Sequence, residues 1–137
     1  MGLDFKLILK MKLAKFLIFL ILFSCFVNAL DLPDYKDKYV NDFANIFSQE
    51  QSSYIGNLLS NLEKNTTSEV SVVTIQECVV TASEYANKLF NKWGIGKKNK
   101  DNGLLILYCK AENKIWVETG YGLEGILPDS KLGRMLD

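Results

Sequence analysis

The chain has 137 residues, 48% of them hydrophobic, with 16 basic and 16 acidic side chains and no histidine. That length suits one domain with a single small core, and without an imidazole, Ser-His-Asp triads, histidine phosphatases and His-ligated metal hydrolysis are excluded. Four lysines and one aspartate fall before residue 30, so the remainder carries 12 basic against 15 acidic groups, a net charge of −3 that leaves no electrostatic footprint for nucleic acid.

Residues 1–29 read as a secretory signal peptide: Lys6, Lys10, Lys12 and Lys15 lead into the apolar run Phe16 to Val27, and Val27-Asn28-Ala29 has the small-residue form of a cleavage site. The run is shorter than the ~20 residues that span a bilayer, and a retained anchor is the alternative. Leu22-Phe23-Ser24-Cys25 resembles a lipobox, with Phe23 bulkier than such boxes prefer. Either way the expected location is extracytoplasmic. Export leaves Cys78 and Cys109 in a compartment that permits disulfides, so the pair is either a bridge between neighbouring strand ends or two buried thiols.

Residues 30–38, with Pro33, predict an extended exposed leader, and the domain proper begins at residue 39. Ser48 and Gln51 form a capping box, and Ile55, Leu58, Leu59 and Leu62 recur at helical spacing, which predicts a helix over 49–64. The β-branched run at 69–76 predicts a strand. Thr81 and Glu84 form a second box before the stripe Ala82, Tyr85, Ala86, Leu89, Phe90 and Trp93, with Gly94 and Gly96 as the stop. Two strands follow, Leu104 to Tyr108 and Lys114 to Thr119, joined by a short turn that predicts an antiparallel hairpin. A last helix opens at Asp129 or Ser130 with Leu132, Met135 and Leu136 as its apolar face, and its two-turn length reads as an incomplete C-terminus. The fold class is α/β: a small mixed β-sheet flanked by helices, preceded by a signal peptide.

Gly120, Gly122 and Gly125 have the G-x-G-x-x-G spacing of a dinucleotide loop. Such a loop opens a helix whose amides receive a pyrophosphate and needs an acidic residue about 20 positions on. Here Ile126, Leu127 and Pro128 follow at once and Glu124 would sit against the phosphates, so the glycines predict a tight turn at positive φ and no dinucleotide partner.

Pairing arithmetic brings two remote loops together. With a hairpin turn around 111–114, Asp101 falls opposite a residue between Tyr121 and Glu124. Glu124 and Asp129 can then join Asp101 on one rim, where carboxylates repel unless a cation intervenes. Oxygen ligands without histidine favour Ca²⁺, or alternatively Mg²⁺. Against this, Asp101 is also a good turn former, Asp129 a good helix cap and Glu124 an ordinary solvated loop residue. Lys97, Lys98 and Lys100 either draw in an anionic ester or form a solvated loop, while Trp93 and Tyr121 either line the cleft or pack in the core and the turn.

The blocks YVNDFANIFSQEQ, EVSVVTI, YANKLFNKWGIGKKNKDNGLLILY and VETGYGLEGILPD resemble, in order and spacing, those of the TPM domain family, over residues 39–137. The resemblance implies an α/β sandwich with an acidic cleft that binds Ca²⁺ in some members, in proteins that maintain membrane-associated complexes. It also implies, from a plant member, acid phosphatase activity on phosphoesters. Its motifs place Asp42 in V-N-D beside Asp101, Glu124 and Asp129 as candidate ligands. Neither cysteine has an arginine six positions on, and D-x-D-x-T is missing, so any phosphatase chemistry here would be metal-assisted.

Overall fold

A computed structural model describes residues 5–24, 30–128 and 132. Within residues 1–31 the described element is one helix, α1 (Phe5–Ser24). The predicted cleavage site, Cys25 and most of the predicted last helix lie outside the described residues. Among the described residues no helix is long and apolar enough to cross a membrane.

From Leu32 onward the chain forms a second unit built on β1 (Val40–Asp42), α2 (Gln49–Thr66), β2 (Glu69–Ile75), α3 (Ala82–Trp93), β3 (Gly103–Cys109) and β4 (Lys114–Thr119). The helices start and stop where the sequence supplies caps. The Ser48 side chain accepts the Gln51 amide while the Gln51 side chain returns to the Ser48 amide, and Thr81 accepts from Glu84 N–H. Gly94 closes α3 at φ 62°, a conformation that costs glycine nothing.

The sheet order is β1-β2-β3-β4, with β1, β2 and β3 parallel and β4 antiparallel to β3. Strand β1 was not expected; at three residues it is too short to carry a period, and it is set by pairing Val40 to Asp42 with Val72 to Thr74. Alternation along the strands divides the core in two. Val70 and Leu104 pack with Leu59 of α2, and Val72, Ile106 and Val117 border that cluster. The other face carries Val73, Leu105 and Leu107, all fully buried, with Tyr85, Ala86 and Leu89 of α3 buried as well. At about 25 cal/mol per Å² removed from water, these apolar layers supply most of the drive to fold.

Residues 30–37 have no regular secondary structure but are not free. Trp93 donates its indole N–H to the carbonyl of Pro33 at 3.0 Å and meets Tyr35 edge-on, while Lys92 reaches the Leu32 carbonyl and Asp34. Trp93 is therefore a leader clamp, away from the cleft. Cys78 and Cys109 are disulfide-bonded, with Cα atoms 5.7 Å apart, which joins the loop after β2 to the end of its neighbour β3.

Candidate functional site

The hairpin register fixes the first part of the site. Leu104 pairs with Thr119 and Cys109 with Lys114, so the continuation sets Asp101 against Gly122. There the Gly122 N–H donates to the Asp101 carbonyl at 2.9 Å, and the Gly120 N–H to that of Gly103 at 2.9 Å. The two loops lie side by side because the strands that lead into them are paired.

The glycines serve this approach by lacking a side chain rather than by their backbone angles. Gly120 has φ −76°, and among the described residues the positive-φ glycines are Gly94 and Gly96, so the expected left-handed turn is corrected. A Cβ on Gly120 would collide with the Asp101 carbonyl and one on Gly122 with that of Lys100, whereas Gly125 faces open space. The left-handed residue is Asp101 itself, at φ 45°.

An open groove of about 970 Å³ runs between α3, β4 and this double loop. Among the described residues its charged lining side chains are Asp101, Glu118 and Glu124, all acidic. Glu118 was not foreseen; the signal was available, since it shares a strand face with Trp116, opposite to Ile115 and Val117. Its carboxylate accepts from Asn87 Nδ2 at 2.8 Å and from Trp116 Nε1 at 3.1 Å, and Asn91 bonds Asn87 in turn. Tyr121 does not pack in its turn but stands 81% exposed at the groove.

Asp42 is not on this rim. It ends β1 and pairs with Thr74 near the C-terminal end of β2, whereas Asp101 precedes β3, whose Gly103 pairs with Glu69 at the start of β2. The separation is roughly 17 Å or more at 3.3 Å per residue. The Asp42 carboxylate accepts the Thr74 hydroxyl and the amides of Ile46 and Phe47. Burial pushes its pKa up, but these donors and nearby Lys110 outweigh it and hold the pKa below the ordinary value. Its work is to fix the turn after β1. Asp129 lies outside the described residues.

Among the described residues, the one trio of ligand-type side chains that converges is Cys78, Cys109 and Glu112, and its sulfurs are spent in the disulfide. Asp101, Glu118 and Glu124 share the groove without meeting as a closed three-carboxylate cage. Their carboxylate oxygens are the hard ligands of this groove that a divalent cation could meet.

The lysines turn elsewhere. Lys97 is bound to Glu63 at 3.0 Å and Lys100 to the Thr67 hydroxyl at 3.2 Å, and neither these nor Lys98 lines the groove. Asn102 is buried beneath that loop, donating to the Thr67 carbonyl at 2.8 Å and accepting the Lys97 amide at 3.1 Å, so the N of D-N-G is a structural clamp. Glu63 gathers Lys38 at 2.7 Å, Lys97 and the Tyr39 hydroxyl at 2.9 Å. The Lys38 hydrogen bond, opposed by burial and aided by Lys97 and Tyr39, lowers the Glu63 pKa to about 2. The same bond raises that of Lys38.

Residues 40–137 match the TPM domain. Among solved structures, the solution NMR structure of the N-terminal domain of a protein from P. gingivalis is similar over 72% of this chain, at 32% sequence identity and a TM-score of 0.66. The chain spans 63% of the length of that structure. No curated protein matches.

Proposed function

The chain belongs to the TPM domain family, and we propose that it acts as an exported binding module whose acidic groove takes up a divalent cation, Ca²⁺ before Mg²⁺, and engages a partner in a membrane-associated complex. The observation that carries this reading is the juxtaposition of Asp101 and Glu124, remote in sequence, on one groove with Glu118 and, among the described residues, no basic side chain. A cation there relieves the repulsion of like charges that the backbone pairing imposes. Export is supported by the Cys78–Cys109 bridge, since such bonds persist in oxidising compartments.

Binding is preferred to hydrolysis because the groove is lined by carboxylates, amides and aromatics, and of the lysines suited to an anionic ester Lys97 is tied to Glu63, Lys100 to Thr67, and Lys98 does not line the groove. The test is a thermal-shift series on the full chain with Ca²⁺ or Mg²⁺, run beside turnover of a generic phosphomonoester. Stabilisation by Ca²⁺ without turnover supports the module. Turnover that needs the metal and is lost in Asp101→Asn replaces it with a metal-assisted phosphatase, and no response to either ion removes the cation from the account.

A further inference from the structure

Among the described residues strand β4 is the last of the sheet, and its outer edge, which pairs with no described strand, forms part of the groove. Antiparallel ladders alternate between residues that exchange hydrogen bonds with the partner strand and residues whose backbone groups point away. The bond from Gly120 N–H to Gly103 fixes the phase: Glu118, Trp116 and Lys114 face β3, and Thr119, Val117 and Ile115 turn their N–H and C=O groups outward. Val117 and Thr119 both line the groove.

Edge strands that avoid pairing are short, carry proline or inward-pointing charge, or are covered. Six-residue β4 has no proline, its one lysine stands at the first position, and its one inner charge, Glu118, is bonded by Asn87 and Trp116. Beside the edge lie half-exposed Trp116, fully accessible Tyr121 and the side-chain amides of Asn87 and Asn91. Among the described residues the charged side chains there are Asp101, Glu118 and Glu124, so charge complementarity selects a basic occupant.

We propose that an extended, lysine- or arginine-bearing peptide segment of a partner protein adds to the open edge of β4 as a fifth strand, bonding Ile115, Val117 and Thr119 and directing alternate basic side chains at Glu118, Asp101 and Glu124. The mode is strand addition, in which main-chain bonds give affinity and alternate side chains give specificity. It rests on the groove being the binding site proposed above and names the chemistry of the partner.

The experiment uses the full chain, isotopically labelled, with three probes: an acetylated Lys-Val-Lys-Val-Lys-Val peptide, its Glu-Val counterpart, and the Lys-Val peptide N-methylated at alternate amides. The expected result is slowed amide exchange at Ile115, Val117 and Thr119 with the first peptide alone, unchanged exchange at Trp116 and Glu118, and affinity at least tenfold weaker after N-methylation. Equal binding of the N-methylated peptide reduces the effect to charge and overturns strand addition. So do binding elsewhere, no binding, or self-association through β4 that excludes the peptide. Ca²⁺ is titrated in the same samples. Ca²⁺ shifts at Asp101 and Glu124 without peptide protection of β4 sink the fifth strand and spare the cation reading, whereas peptide protection without a Ca²⁺ response does the reverse.

Discussion

Replacing Glu63 by glutamine should cost stability in a pH-dependent way that the surrounding cluster dictates. Its side chain is only 10% exposed and holds Lys38, Lys97 and Tyr39 at once. The fall from the ordinary 4.5 to about 2, at roughly 1.4 kcal/mol per pKa unit, sets a ceiling near 3 kcal/mol. Because Lys38 and Lys97 are 40% and 44% exposed, solvent screening brings the expected figure to about 1–2 kcal/mol. A depressed carboxyl pKa gives stability that is complete above about 4.5 and drains away as pH falls toward 2. Urea unfolding of the wild type and Glu63→Gln at pH 7 and pH 2.5 measures it, and taking the difference between them cancels the similar acid sensitivity from Asp42. The variant should be about 1–2 kcal/mol weaker at pH 7, with most of that gap closed at pH 2.5. A gap that is zero at pH 7, or equal at both pH values, refutes the reasoning.

Reducing the Cys78–Cys109 bond, which closes a separation of 31 residues, should cost about 3–4 kcal/mol by loop entropy. The midpoint of denaturation with and without reductant reads this, and a Cys78→Ser, Cys109→Ser double variant should not respond to reductant. Gly122→Ala forces a Cβ onto the Lys100 carbonyl and should destabilise by about 1–3 kcal/mol. Gly125→Ala, which meets open space, should stay within ~0.5 kcal/mol; equal melting temperatures for the two variants would contradict the close approach of the loops. The Ser71 hydroxyl is buried with no hydrogen-bond partner among the described residues, so Ser71→Ala should raise unfolding free energy by about 1 kcal/mol. A loss of similar size would reveal a partner.

The elements legible in the sequence were those with a period and a cap. Ser48 and Gln51 announce α2, Thr81 announces α3 and Gly94 ends it, while the hairpin register follows from turn length alone. Strand β1 was hidden because three residues show no alternation and their partner lies in distant β2. Asp42 was grouped with Asp101 by the motifs of the family resemblance, and only the parallel pairing of β1, β2 and β3 reveals that one residue leaves the sheet where the other enters it. The loop glycines were identified at the right positions with the wrong cause, since crowding by Asp101 and Lys100 is a contact between remote segments. Asn41 and Asn102 carried no signal in the sequence, and only burial exposes them as clamps on the Asp37 and Thr67 backbones.

The central claim, that residues 101 and 124 act together on one groove, is tested most directly by following backbone amide shifts of the full chain during a Ca²⁺ titration. The account predicts saturable shifts at Asp101, Gly122 and Glu124, absent from Asp42 and weakened at least tenfold in both Asp101→Asn and Glu124→Gln. Shifts centred on Asp42, or a response that survives both substitutions, would contradict it.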